Sequence, residues 1–299
     1  MKKIFVLSVL LGVTVSASAQ IEIRPDHPRI FFNADTWPAI KEKAYGENRA
    51  YLDKLLDEVN QMTDEPVAKN TGPIEVKDRS LPIAPVKEYG REAASCALAW
   101  RFTGKEKYLE KAKKMLKVSV DAYTEATKNV RPVTWYAHSR VNALCAYDWI
   151  YEALTPQERE ELIVKLVNHV EMIQPEYGLN IPRNSAGDVN TGFYGMRSLL
   201  WYSGLAAHGD GFCDSLAAKH LNTGHDWYRR VLQYRNDTAG DDGAHCICTG
   251  NYFGCSLWEL LFYWHRALMI RMIWLIKNSL PMSRLRVISW LCLWATCGL

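Results

Sequence analysis

Helical runs joined by very short connections constrain this chain more than any other feature of its sequence. A helix predicted over 88–102 (EYGREAASCALAWRF) gives way at Thr103-Gly104 to a second over 105–126. So short a link forces the two helices to lie side by side and antiparallel. The rhythm recurs as 138–154, then Thr155-Pro156-Gln157-Glu158, then a helix to residue 173. Thr155 with Glu158 three residues on is a capping box, and Pro156 takes the first-turn position where its missing N–H costs nothing. A third pair follows over 191–208 and 213–234.

Upstream, residues 21–32 (IEIRPDHPRIFF) read as an extended entry, because Pro25 and Pro28 exclude a regular helix. Asn33 is positioned to cap a helix over 36–44, and 47–62 carries Tyr51, Leu55, Leu56 and Val59 at helical spacing. The stretch 64–85, rich in Pro, Asp, Lys and Gly, reads as the longest loop. Alternating strand signals are almost absent before residue 240. The expectation is an all-α fold of antiparallel helix hairpins. Such hairpins build a solenoid or close into an α/α toroid. The hairpins share no sequence similarity beyond their rhythm, which favours a toroid.

The chain ends read differently from this middle. Lys2 and Lys3, an apolar run over 4–15 and Ala17-Ser18-Ala19 form the pattern of a cleavable signal over residues 1–19, which implies a periplasmic or secreted protein. The formal net charge of +3 drops further once Lys2 and Lys3 are removed, too little surplus for a general nucleic-acid binder. Of the eight cysteines, Cys96 and Cys145 sit in apolar helical stretches as small hydrophobes. Cys246, Cys248 and Cys255 beside His245 lack the paired spacing of a zinc site, so neither metal nor cofactor is expected. From Leu260 to Leu299 there is no Asp or Glu. Arg266, Arg271 and Lys277 interrupt every apolar window there before a membrane span is reached. The reading is a helical domain over 20–265 and an anomalous tail over 266–299, frameshifted or truncated. Such a truncation would expose an apolar face.

No Gly-x-Ser-x-Gly elbow, Walker loop, His-Glu-x-x-His or Cys-x-x-Cys occurs. Two polar segments remain, 184–197 (NSAGDVNTGFYGMR) and 236–254 (NDTAGDDGAHCICTGNYFG). Both mix Gly, which admits close backbone approach, with the uncharged donors Asn and Tyr. Ordinary connecting loops have the same composition. Aromatics expected at helix ends or in loops (Trp135, Tyr136, Tyr194, Trp227, Tyr252) are suited to stacking on sugars, whereas Trp149 and Trp201 read as core.

Four segments, in order, then resemble one family. His27-Pro28-Arg29-Ile30-Phe31-Phe32-Asn33-Ala34-Asp35 looks like the start of bacterial heparinase II/III-like polysaccharide lyases. Residues 140–151 (RVNALCAYDWIY) are similar to the family's Ala-Tyr-Asp-Trp segment, and 190–209 resembles the helix bearing its charge-neutralising residue. Asp241-Asp242-Gly243 leading to Gly250-Asn251-Tyr252-Phe253-Gly254 resembles its Asp-Gly…Gly-x-Tyr segment. The likeness runs from residue 25 to 265.

The resemblance implies an incomplete α/α toroid followed by a β-sandwich, which this chain would lack, and β-elimination of a uronic-acid-containing, glycosaminoglycan- or alginate-like polysaccharide. On that mapping Tyr252 is the catalytic base and acid and Asn190 neutralises the substrate carboxylate. Val189 and Thr191 flank Asn190 where many members of the family place a histidine. His138, Arg140, Trp135, Tyr194 and Arg197 are the expected substrate-binding residues. Two other readings compete. An α/α-toroid glycoside hydrolase would pair Asp188 with Asp241 or Asp242. An inactive carbohydrate-binding remnant would bind an acidic glycan without turnover.

Overall fold

A computed structural model describes residues 21, 23–63, 68–69, 74–76, 79–81, 86–87, 89–128, 138–174 and 196–238. The signal, the tail and both polar segments, apart from Met196–Arg197 and 236–238, lie outside them. Helices α1 (Trp37–Tyr45) and α2 (Arg49–Gln61) follow the entry segment. Then come α3 (Tyr89–Thr103), α4 (Glu106–Lys128), α5 (His138–Ile150), a 3-10 turn (Tyr151–Ala153), α6 (Pro156–Met172), α7 (Met196–Ala207) and α8 (Asp214–Thr238). The described part is therefore helical, with one correction to the long loop expected over 64–85. Strand β1 (Ala68–Lys69) pairs antiparallel with β4 (Val86–Lys87), and β2 (Ile74–Val76) with β3 (Arg79–Leu81), one ladder nested within the other in sequence. Runs this short hold too little alternation for a period of two to be read.

The helix signals behave as chemistry demands. Thr155 accepts the Glu158 N–H while the Glu158 carboxylate accepts the Thr155 N–H, so the capping box is closed at the start of α6. Asn33 stands one turn ahead of α1, whose N-cap is Thr36. Its side chain accepts the N–H groups of Asp35 and Thr36, and its carbonyl accepts that of Trp37, so it sets the turn that launches α1. Gly104, at φ +68°, turns the chain between α3 and α4 in a conformation that a side chain disfavours.

The hairpins α3–α4 and α7–α8 are closely packed, and α3 packs as extensively along α5, which in turn meets α7. Arg101, near the end of α3, donates from Nε to the Trp149 carbonyl near the end of α5 at 2.6 Å. Arg29 donates to the Leu205 and His208 carbonyls at the end of α7, while its own N–H bonds Asp148 near the end of α5. Hence α3, α5 and α7 run in the same direction with their C-termini at one end; α4 and α8 pack as antiparallel partners of α3 and α7, and α6 lies mainly against α4 and α7.

Between these layers lies one continuous core. Trp149 and Trp201 are wholly inside it, as are Cys96 and Cys145. Burial pushes the Cys96 thiol up to about 12, so it remains protonated and inert. Trp227 departs from expectation, lying half-buried within α8 rather than at a helix end. Among the residues whose side chains are described, Tyr45 and Met172 are the large hydrophobics left exposed. No helix among them is long and apolar enough to cross a membrane.

Candidate functional site

The common direction of α3, α5 and α7 gives the molecule two chemically distinct ends. Their N-termini, at Tyr89, His138 and Met196, lie together opposite the C-terminal end that the entry segment crosses. Each helix N-terminus presents unpaired N–H groups and a partial positive charge, an environment that favours anions. His138 opens α5, Arg140 stands in its first turn, and Arg197 stands in the first turn of α7. Three of the expected substrate-binding residues are thus carried to one end. Trp135, Asn190, Tyr194 and Tyr252 lie outside the described residues, as do Asp188, Asp241 and Asp242.

Arg140 is buried, and its surroundings fix its orientation. Nε donates to Nε2 of His169, in the last turn of α6, at 3.3 Å, and the guanidinium lies over the Tyr123 ring. The other nitrogen of His169, Nδ1, is 2.6 Å from the Thr127 hydroxyl. That hydroxyl donates to the Tyr123 carbonyl, so it accepts from Nδ1–H. The two partners leave His169 neutral, with its proton on Nδ1. Burial, then the positive Arg140, holds it well below the usual histidine range. Nothing in the sequence around His169 marks this role; α6 reads there as an ordinary amphipathic helix.

A second buried relay joins α6, α7 and α8. The Ser203 hydroxyl meets His220 Nδ1 at 3.0 Å, and His220 Nε2 meets Glu171 at 2.7 Å, with Lys219 pairing the same carboxylate. A carboxylate accepts only, so Nε2 carries the proton and Nδ1 accepts from serine. Burial outweighs the Glu171 hydrogen bond and holds His220 below its usual range. The composition is that of a serine–histidine–acid triad, but Ser203 and His220 have no exposed surface. The relay closes a helix seam and offers a substrate no approach.

At the opposite end, two of the sequence segments first noted for their family likeness prove to be one structural unit. Asp148 accepts the N–H groups of Arg29 and Ile30 and meets His27 Nδ1 at 2.7 Å, and the Trp149 indole donates to the Ile30 carbonyl. The His-Pro-Arg and Tyr-Asp-Trp segments are thus partners in holding the entry strand. Among the described residues no group of three or more His, Cys, Asp or Glu side chains is arranged to hold a metal ion. The chain matches no protein-family model and no curated protein.

Proposed function

We propose that this chain is the helical domain of an exported polysaccharide lyase, an incomplete α/α toroid that binds a uronic-acid-containing polymer at the N-terminal end of α3, α5 and α7. The observation that carries the reading is the placing of His138 and Arg197 in the first turns of two of three parallel helices, with the buried Arg140 in the same turn as His138. Helix N-termini and the partly exposed Arg197 guanidinium favour a polyanion over a neutral glycan. Trp135 precedes α5 and Tyr194 precedes α7 by a few residues, where flat rings can stack on sugar faces.

β-Elimination removes the proton from C5 beside the uronate carboxylate and expels the glycosidic oxygen at C4. Uncharged and cationic donors must neutralise that carboxylate, so that charge developing on it is stabilised in a site closed to water. Asn190 is assigned this task, with Arg197 supporting it. Tyr252 takes the C5 proton and returns one to the leaving oxygen. Arg140, held by His169, orients rather than reacts.

Incubation with a panel of uronic-acid polymers tests the proposal. The ultraviolet absorbance of an unsaturated uronic acid is the expected product signal, since hydrolysis makes no such double bond. New reducing ends without that absorbance would support the hydrolase reading instead, and binding without product would support the carbohydrate-binding one.

A further inference from the structure

The buried cluster that fastens the entry segment is used by none of the chemistry above, and its charges balance only in one protonation state. His27 is enclosed, with Nδ1 2.7 Å from Asp148 Oδ1 and Nε2 3.2 Å from Asp210 Oδ1. Both facing groups are carboxylates, which accept and cannot donate, so both ring nitrogens must carry hydrogen. Arg29 supplies one further cation, donating to Asp210 at 3.0 Å. Two buried carboxylates therefore face one guanidinium and one imidazole, and neutrality requires the imidazolium.

The other neighbours leave that balance unchanged: the Arg101 guanidinium of α3, which also acts on Asp148, is paired with Glu152 at 3.6 Å. On the entry segment, Asp26 pairs with Arg24 at the surface. Tyr151 of the 3-10 turn stacks on the His27 ring at 3.7 Å, and Arg159 of α6 lies over the far side of Tyr151. Tyr147 of α5 keeps its proton, because burial and then Asp210 push its phenol upward. Cys213, beyond Asp210, is raised to about 11 by burial and stays neutral.

The two carboxylates hold His27 unequally. Asp148 is anchored independently by the Arg29 and Ile30 N–H groups. Asp210 sits in the turn between α7 and α8, between Gly209 and Gly211, both at positive φ. Apart from His27 it is held by Arg29, and the exposed Asp214 carboxylate accepts the N–H groups of the two glycines. A neutral His27 keeps one N–H for Asp148 and turns a lone pair toward Asp210.

We propose that residues 23–33 form a proton-locked strap, in which the His27 imidazolium clasps the α7–α8 turn through Asp210, and that loss of this proton loosens the turn while the Asp148 anchor persists. The device is independent of what the opposite end binds. Burial alone would lower His27, but the hydrogen bonds that it donates to Asp148 and then to Asp210 outweigh it and hold the group above the usual histidine range. The lock is accordingly complete below about pH 6.5, the unfolded histidine value, and is lost as pH rises through the folded value.

The test is ¹⁵N-histidine NMR on the full chain, with amide exchange read over 208–214. The His27 signal is identified by its loss in His27→Gln or, should that variant not fold, by its displaced midpoint in Asp210→Asn. Both ring nitrogens protonated near pH 6, with a midpoint above about 6.5, is the expected signature. Once intrinsic exchange is divided out, opening of the turn should grow as pH rises toward the folded midpoint, at up to about tenfold per pH unit, the limit for one linked proton. Asp210→Asn should lower the midpoint and flatten that step. A ring nitrogen found unprotonated near pH 6 overturns the proposal, and so does a step in exchange that Asp210→Asn leaves unchanged.

Discussion

At the scale of single residues, Asp148 is where the most structure hangs on one side chain. It accepts two backbone N–H groups and the His27 ring, and it has no exposed surface. Asp148→Asn keeps the shape but sets an amide NH2 against donors, leaving some of them and His27 without a buried acceptor. Removing one partner of a buried ionic cluster costs about 3–5 kcal/mol. Denaturant unfolding should show that loss through a lower midpoint, and a change within about 0.5 kcal/mol would mean that the segment is held by something else. Tyr252 makes the opposite kind of demand, since its proposed role is chemical. Tyr252→Phe should keep the fold and reduce the elimination rate by about 10²–10⁴ on any polymer the chain cleaves. Near-normal turnover would remove Tyr252 from the mechanism.

At the scale of elements, the α7–α8 hairpin depends on two residues with no side chain. A Cβ built on Gly204 would lie 2.5 Å from the Leu221 backbone, and one on Gly224 would lie 2.3 Å from the Trp201 nitrogen. Neither contact is with the flexible end of a side chain, so a methyl group must push the helices apart. Gly224→Ala should cost about 1–3 kcal/mol despite alanine's better helix propensity. A variant as stable as the parent would show that the seam can open without penalty. The hairpin itself was legible in the sequence, as were α3–α4 and the capping box of α6, because short links and capping residues act locally. The seam glycines were not, since close approach is a property of two helices at once. The strand pairs between α2 and α3 escaped for a related reason: their pairing is set by the partner strand more than by their own pattern. The candidate site divides in the same way. His138, Arg140 and Arg197 could be chosen as the remaining imidazole and cationic candidates on the family mapping, but the neutral His169 bonded to Arg140 is defined by three helices meeting. Likewise His27, Asp148 and Asp210 are far apart in sequence, and only the fold makes them a cluster.

For the whole molecule, three buried histidines impose opposite pH dependences on stability. His27 is held above its unfolded value by Asp148 and Asp210, so its contribution is intact below about pH 6.5 and is lost as pH rises through its folded value. His169 and His220 are held below their usual value chiefly by burial. The unfolded chain binds their protons first as pH falls below about 6.5, and the native state is then destabilised. Each proton carries about 1.4 kcal/mol per pH unit within its window. Asp26, Glu158 and Glu161 are held below the ordinary carboxylate range, so their own losses begin only at more acidic pH. The unfolding free energy should therefore peak near pH 6.5, falling on the acid side with about two protons and on the alkaline side with about one. His169→Gln should halve the acid slope, with the stability it loses near neutrality measured separately. Asp210→Asn should flatten the alkaline limb without altering the acid one. Urea titrations at half-unit intervals between about pH 5 and 8 resolve both limbs. A profile rising or falling monotonically across that range would mean that at least one of these histidines is protonated otherwise than its partners require.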